Sequence, residues 1–300
     1  MTVPLRRRRF LQVLGAAALA SACGTDGSAS SGAATGGDGA TAARSVPVAL
    51  FNTDRVIVAG SVQRLPFAVF DADRLPRRDA ALPRTVTVAI SAEGAPVSTE
   101  TVELHGLDLP FPYYPLRTAL PEPGLYDLEI ALDDGPARMV VQAFDPAEVA
   151  VPRPGEALPV APTPTVDDLR GVDPICTRFE PCPFHATSLD QALGRGPVAL
   201  LVGTPAYCQT GVCGPMLEQL IAAAPGHPTV TIIHAEVYAN PREVDGNLAD
   251  PAIRTAPVTE AMRLDFEPVL FVVGSDGIVS DRLDNVYDTA ELERALAEVS

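Results

Sequence analysis

The proline-rich stretch "AVPRPGEALPVAPTPT", residues 150–165, separates two hydrophobic periodicities, and no single layer architecture accommodates both. Upstream lie short apolar runs of strand length: "VPVALF", "RLPFAVF", "TVTVAI", "STETVEL", "YDLEIAL" and "ARMVVQAF". Several alternate with period two, as at Tyr126, Leu128 and Ile130, and Pro/Gly breaks such as "LPEPGLY" interrupt them. Without a long helical stripe, residues 45–148 are expected to form an all-β sandwich of the immunoglobulin-like kind. Tyr126, after the "PEPG" turn, either forms a hydroxyl-to-backbone corner or fills the core. This half holds His105 and no cysteine, which points to a binding or spacer module rather than catalysis.

Downstream the pattern changes. "SLDQAL" has helical spacing behind Ser188; "PVALLV" is a strand-length apolar run; "GPMLEQLIAAA" reads as a helix, "TVTIIHAEVY" as a strand and "PVTEAMRLDF" as a helix. "VLFVVGSDGIVSDRL" reads as two strands joined at Ser275-Asp276-Gly277, and "TAELERALAEV" as a closing helix with Thr289 at its N-cap. Residues 169–300 are therefore expected as an α/β domain with a mixed sheet flanked by helices. The connector, 149–168, reads as an extended, semi-rigid linker that leaves the domains free to move.

The formal charge of −16 is a poor match for nucleic acid, and all four residues of "RRRR" sit at the N-terminal head. "RRRRFLQVLGAAALASAC" has a basic head, an apolar run from Phe10 to Ala20 and small residues before Cys23. It resembles a twin-arginine export signal, with Arg7 and Arg8 as the pair, ending in a bacterial lipobox. The resemblance implies a signal peptide over 1–22, lipidation at Cys23, a flexible tether over 23–44, and an extracytoplasmic protein anchored to the membrane by lipid. A cleaved secreted protein and an uncleaved anchor are the alternatives, though the run falls short of the ~20 residues a span needs. Setting Cys23 aside leaves four of the five cysteines, an even number in an oxidising compartment.

Two of them lie in "TPAYCQTGVCGPM". A cysteine follows an apolar strand and precedes a helix, a proline precedes the next strand in "FEPVLFVV", and a "DG" turn follows. In this order residues 170–300 resemble a thioredoxin-like domain, which implies thiol–disulfide exchange with protein thiols or disulfides and requires no cofactor. Two registers compete. Counting from the strand, Tyr207-Cys208 falls where the family has Trp-Cys, so Cys208 is the nucleophile and Cys213 the resolving thiol. Counting from the helix, "CGPM" overlays CGPC and Cys213 becomes the nucleophile. Pro268 matches the family's cis-proline, which leaves the backbone of Glu267 free to pair with substrate; Tyr207, Glu267 and Pro268 are the implied substrate contacts. Val202 stands where the family often carries a buried acid, so thiol activation would rest on the helix N-terminus.

Cys176 and Cys182 lie in "DPICTRFEPCPFHATSLDQAL", a segment with little regular structure to order it. A disulfide between them would stabilise the segment by roughly 2–3 kcal/mol. A redox relay to Cys208 and Cys213 would need the segment to fold over that site. A metal site is the third option: Cys176, Cys182 and His185 have ligand-like spacing, and a fourth ligand could come from His234 or from Cys208 or Cys213, although His234 sits inside an apolar strand, where a hydrogen-bonded core histidine is the commoner case. The function classes that remain are a thiol–disulfide oxidoreductase, a non-catalytic binding lipoprotein with two static disulfides, and a copper chaperone.

Overall fold

The computed structural model describes residues 45–52, 54–78, 82–208, 210–244 and 252–300. The expected signal peptide, the tether and Cys23 lie outside the described residues.

The N-terminal half is two antiparallel sheets packed face to face. Strands β1 (Val46–Ala49), β2 (Val62–Phe70) and β5 (Tyr114–Ala119) form one, in the order β1-β2-β5. Strands β3 (Thr85–Ala92), β4 (Ala95–Glu103), β6 (Gly124–Leu132) and β7 (Gly135–Ala143) form the other, in the order β4-β3-β6-β7. Alternation does the sorting: Val86, Val88 and Ile90 of β3 and Leu128 and Ile130 of β6 turn inward to meet Leu65, Phe67, Tyr114 and Leu116. Tyr126 does both things open to it: its ring is buried, its hydroxyl donates to Glu122 O at 2.8 Å and accepts from Glu122 N–H at 3.0 Å. Strand β5 is not evident from the sequence, because Pro115 and Arg117 interrupt its apolar run. Its place at a sheet edge explains how Pro115 is tolerated.

The C-terminal half is a four-stranded mixed sheet of β8 (Val198–Val202), β9 (Thr231–Ala235), β10 (Val269–Val273) and β11 (Val279–Asp284), ordered β11-β10-β8-β9. β8 and β9 are parallel, while β10 is antiparallel to β8 and to β11. The central strands are buried on both faces, so they read as continuous apolar runs. Ala199 and Leu201 face a core shared with Leu217 and Leu220 of α2 (Cys213–Ala223) and Leu292 and Leu296 of α4 (Thr289–Ala297). Val198, Leu200 and Val202 face the opposite core, with Leu189 of α1 (Leu189–Ala192) and Val258 of α3 (Pro257–Ala261). The N-cap of α4 is Asp288, one residue before the expected Thr289; its carboxylate accepts from Glu291 N–H at 3.0 Å.

Two expectations about the join are corrected. The connector is built into the fold: Val151, Leu158 and Ala161 are buried in the C-terminal core, Gly155 N–H donates to Val279 O at 2.8 Å, and Leu158 N–H donates to Gly277 O at 3.0 Å. Nor are the halves loosely hinged, since residues 45–300 belong to one compact unit. Arg64 of β2 reaches Glu291 of α4 through two hydrogen bonds, 2.8 and 2.6 Å, and also donates to Asp284 O at 3.0 Å. Tyr113 OH donates to the same carboxylate at 2.5 Å and accepts from Asp288 N–H at 2.8 Å. Burial opposes the charge on Glu291, but the Arg64 guanidinium outweighs it and holds the carboxyl below its usual range. Removing one member of such a buried pair costs about 3–5 kcal/mol, so the join resists hinge motion.

Candidate functional site: two cysteine pairs on one side of the sheet

β8 ends at Val202 and the chain turns through Gly203 and Thr204 toward α2. Cys208 lies on this turn, partly exposed, and Cys213 is the first residue of α2, 1% exposed; a disulfide joins them with Cα atoms 5.9 Å apart. Cys213 N–H, one of the unpaired amides of the helix start, donates to Cys208 Sγ at 3.3 Å, and Thr210 Oγ1 lies 3.2 Å from the same sulfur. Both contacts place a donor against Cys208 Sγ.

The Glu267–Pro268 peptide bond is cis and closes the other side of the site. A Cβ on Gly203 would lie 3.1 Å from Pro268 Cβ and 3.7 Å from Cys213 Sγ, so a side chain at 203 would crowd the proline. Glu267 is 7% exposed. Its Oε2 accepts from Thr204 N–H at 2.7 Å and lies 3.5 Å from Cys213 Sγ, while its Oε1 is buried without a partner. Burial pushes its carboxyl up to about 7, with Thr204 N–H opposing and the charge of Glu236 adding. A buried carboxyl therefore stands beside Cys213 although position 202 is a valine; it comes from the segment just before β10. Glu267 was expected to offer only its backbone; the sequence reading missed that its side chain lies against Cys213, and the signal was a carboxylate directly before Pro268. Tyr207 packs partly buried on the turn beside Cys208.

The expected bond between Cys176 and Cys182 is not formed. Both are free thiols, 6% and 5% exposed. Sulfur and imidazole converge here: Cys182 Sγ lies 3.2 Å from His185 Nε2 and 3.5 Å from His234 Nδ1, the two nitrogens lie 3.4 Å apart, and the four ligand atoms with Cys176 Sγ all fall within 4.8 Å of one another. Hydrogen bonding, from Cys182 first and then from the two histidines, pulls the Cys176 thiol well below its ordinary range. The reason a disulfide is not needed to order the segment is that it docks along β9. His234 N–H donates to Phe184 O at 3.2 Å, Thr177 N–H to Glu236 Oε1 at 2.6 Å and Asp173 N–H to Ala239 O at 3.0 Å.

The pairs are neighbours. Ala206 N–H donates to Thr177 Oγ1 at 3.1 Å, and Gly203, which packs on the disulfide, receives His234 Nε2 on its carbonyl at 3.0 Å. Of the other histidines, His105 bonds Asp288 at 2.9 Å and His227 bonds Glu293 at 2.8 Å, both as structural contacts.

The sequence matches no protein family and no curated protein. Among solved structures, the chain is similar to a superoxide reductase (neelaredoxin) from Ignicoccus hospitalis, at 13% identity and TM-score 0.24, covering 33% of this chain and 80% of that one. It is also similar to the CARDB domain of a Pyrococcus furiosus protein in complex with di-metal ions, at 11% identity and TM-score 0.21, covering 33% and 85%. Among the described residues, no helix is long and apolar enough to cross a membrane.

Proposed function

We propose that this chain is a thioredoxin-like thiol–disulfide exchange protein working through Cys208 and Cys213, lipid-anchored outside the cytoplasm and preceded by an immunoglobulin-like module. The observation that carries the reading is the disulfide at a strand-to-helix turn, with Cys208 partly exposed and the inner sulfur against the buried carboxyl of Glu267, the residue before Pro268. The sheet order β11-β10-β8-β9, with one parallel and two antiparallel pairings, supports it.

In the reduced state the Cys208 thiolate, stabilised by Cys213 N–H and Thr210, attacks a substrate disulfide, forming a mixed disulfide and releasing one substrate thiolate. The Glu267 carboxylate takes the proton from Cys213, whose thiolate attacks Cys208 Sγ. The Cys208–Cys213 bond forms, the second substrate thiol leaves, and two electrons have passed to the substrate. A disulfide sulfur has no proton, so the 3.5 Å contact to Glu267 becomes a hydrogen bond only on reduction. Run backward, the same steps oxidise a dithiol, and the ambient redox poise sets the direction. Trapping tests the reading: Cys213→Ser should accumulate mixed disulfides on Cys208 with a disulfide-containing substrate protein, whereas their absence would mark the bond as a static staple.

A further inference from the structure

We propose that Cys176, Cys182, His185 and His234 bind one zinc ion in a closed, four-coordinate structural site. The donor set is two thiols and two imidazoles, the S2N2 combination that favours tetrahedral zinc. Zn–S bonds of about 2.3 Å and Zn–N bonds of about 2.0–2.1 Å give tetrahedral edges of about 3.6 Å for S···N and about 3.3 Å for N···N. The corresponding distances here are 3.2 and 3.5 Å from Cys182 Sγ to the two imidazoles and 3.4 Å between the nitrogens.

The surroundings agree with a ligand role. His234 Nε2 faces the Gly203 carbonyl at 3.0 Å, so this nitrogen carries the proton and leaves the lone pair of Nδ1 aimed at the cluster. His185 Nδ1 is buried without a hydrogen-bond partner, so the ring is directed only by what its Nε2 faces. Cys182 N–H points to Cys176 Sγ at 3.5 Å, a contact suited to a thiolate. Charge selects the ion: two thiolates and one Zn2+ sum to zero, whereas Cu(I) would leave a net negative charge buried beside Glu236. All four ligands are at least nine-tenths buried, which leaves no open position for substrate and makes the site structural. Binding exchanges two thiol protons for one metal ion and involves no electron transfer. Zinc would also keep this pair from the disulfide its spacing permits.

The test is metal analysis of the full-length chain purified without added reductant or chelator. One zinc per chain is expected, with a cobalt-substituted form showing the visible ligand-field and thiolate charge-transfer bands of a tetrahedral S2N2 site. His185→Ala should weaken zinc binding by more than about 100-fold. Cys182→Ser should lose the zinc altogether; should it fail to fold, His185→Ala remains, with retention of the Cys208–Cys213 bond as its check on folding. A Cys176–Cys182 disulfide in the isolated protein, two freely alkylated thiols with no metal, copper in place of zinc, or zinc retained undiminished by His185→Ala would each overturn the proposal.

Discussion

The two cysteine pairs have nearly the same sequence spacing, yet their surroundings divide them. Cys208 and Cys213 straddle the start of a helix, with one sulfur reaching solvent and a buried carboxyl behind the other. Cys176 and Cys182 lie in an irregular segment docked on β9, both buried, facing imidazoles instead of a carboxyl. Cysteine chemistry is decided by which groups face the sulfur: backbone donors and an acid prepare a thiolate for exchange, while two imidazoles with bare nitrogens prepare it for a metal.

The largest effect that separates the pairs is expected from Cys213→Ser. Turnover in a disulfide-reduction assay should fall more than about 100-fold while adducts accumulate on Cys208, since the resolving sulfur is gone. Metal removal probes the other pair: a strong chelator should lower the thermal midpoint of wild type by about 5–10 °C and leave the Cys208–Cys213 bond intact, read by scanning calorimetry and peptide mapping.

Glu267→Gln comes next. Loss of the proton acceptor should slow resolution of the mixed disulfide by about 100-fold in rapid-quench kinetics, and the pH–rate profile should lose its inflection near pH 7. The same substitution has a signature in stability. The folded-state carboxyl sits at about 7, above its unfolded value of about 4.3, so its contribution is fully present below pH 4.3 and lost as pH rises through 7. Wild type should therefore lose about 3–4 kcal/mol relative to Glu267→Gln between pH 4 and pH 8 in urea unfolding.

Gly203 touches both pairs and so sharpens the contrast. In Gly203→Ala the new methyl meets Pro268 at 3.1 Å, costing about 1–3 kcal/mol by overpacking and slowing exchange several-fold. Because His234 bonds the carbonyl of residue 203 and not its side chain, zinc stoichiometry should be unchanged. The smallest effect is expected from Tyr207→Ala, a rise of about two- to threefold in KM with kcat retained, since Tyr207 adjoins Cys208 in the chain while its side chain packs, partly buried, against the core that holds Val202.

Local pattern made much of this legible. The runs at 85–90 and 126–132 alternate strictly because one face of each strand is buried, and the continuous runs at 198–202 and 269–273 reflect strands covered on both faces. What escaped depends on partners far apart in the chain. The Arg64–Glu291 pair spans 227 residues, and Tyr114–Ala119 is strand only because β2 lies beside it. The site was legible to the extent that it is local: the spacing of Cys208 and Cys213 marked the pair, whereas the carboxyl of Glu267 reaches Cys213 across 54 residues. The histidines beside Cys182 were visible as options, but nothing in their spacing chose metal over disulfide. That choice rests on β9 carrying His234 to a loop 52 residues earlier.

The division of labour between the pairs is tested most directly by differential alkylation of the zinc-loaded full-length chain, poised at stepped glutathione potentials and mapped by peptide mass spectrometry. The account predicts that Cys208–Cys213 opens between about −120 and −270 mV, while Cys176 and Cys182 form no disulfide at any potential and are alkylated only after chelation. A Cys208–Cys213 bond that stays closed below about −300 mV, with Cys176 and Cys182 cycling between thiol and disulfide, would contradict it.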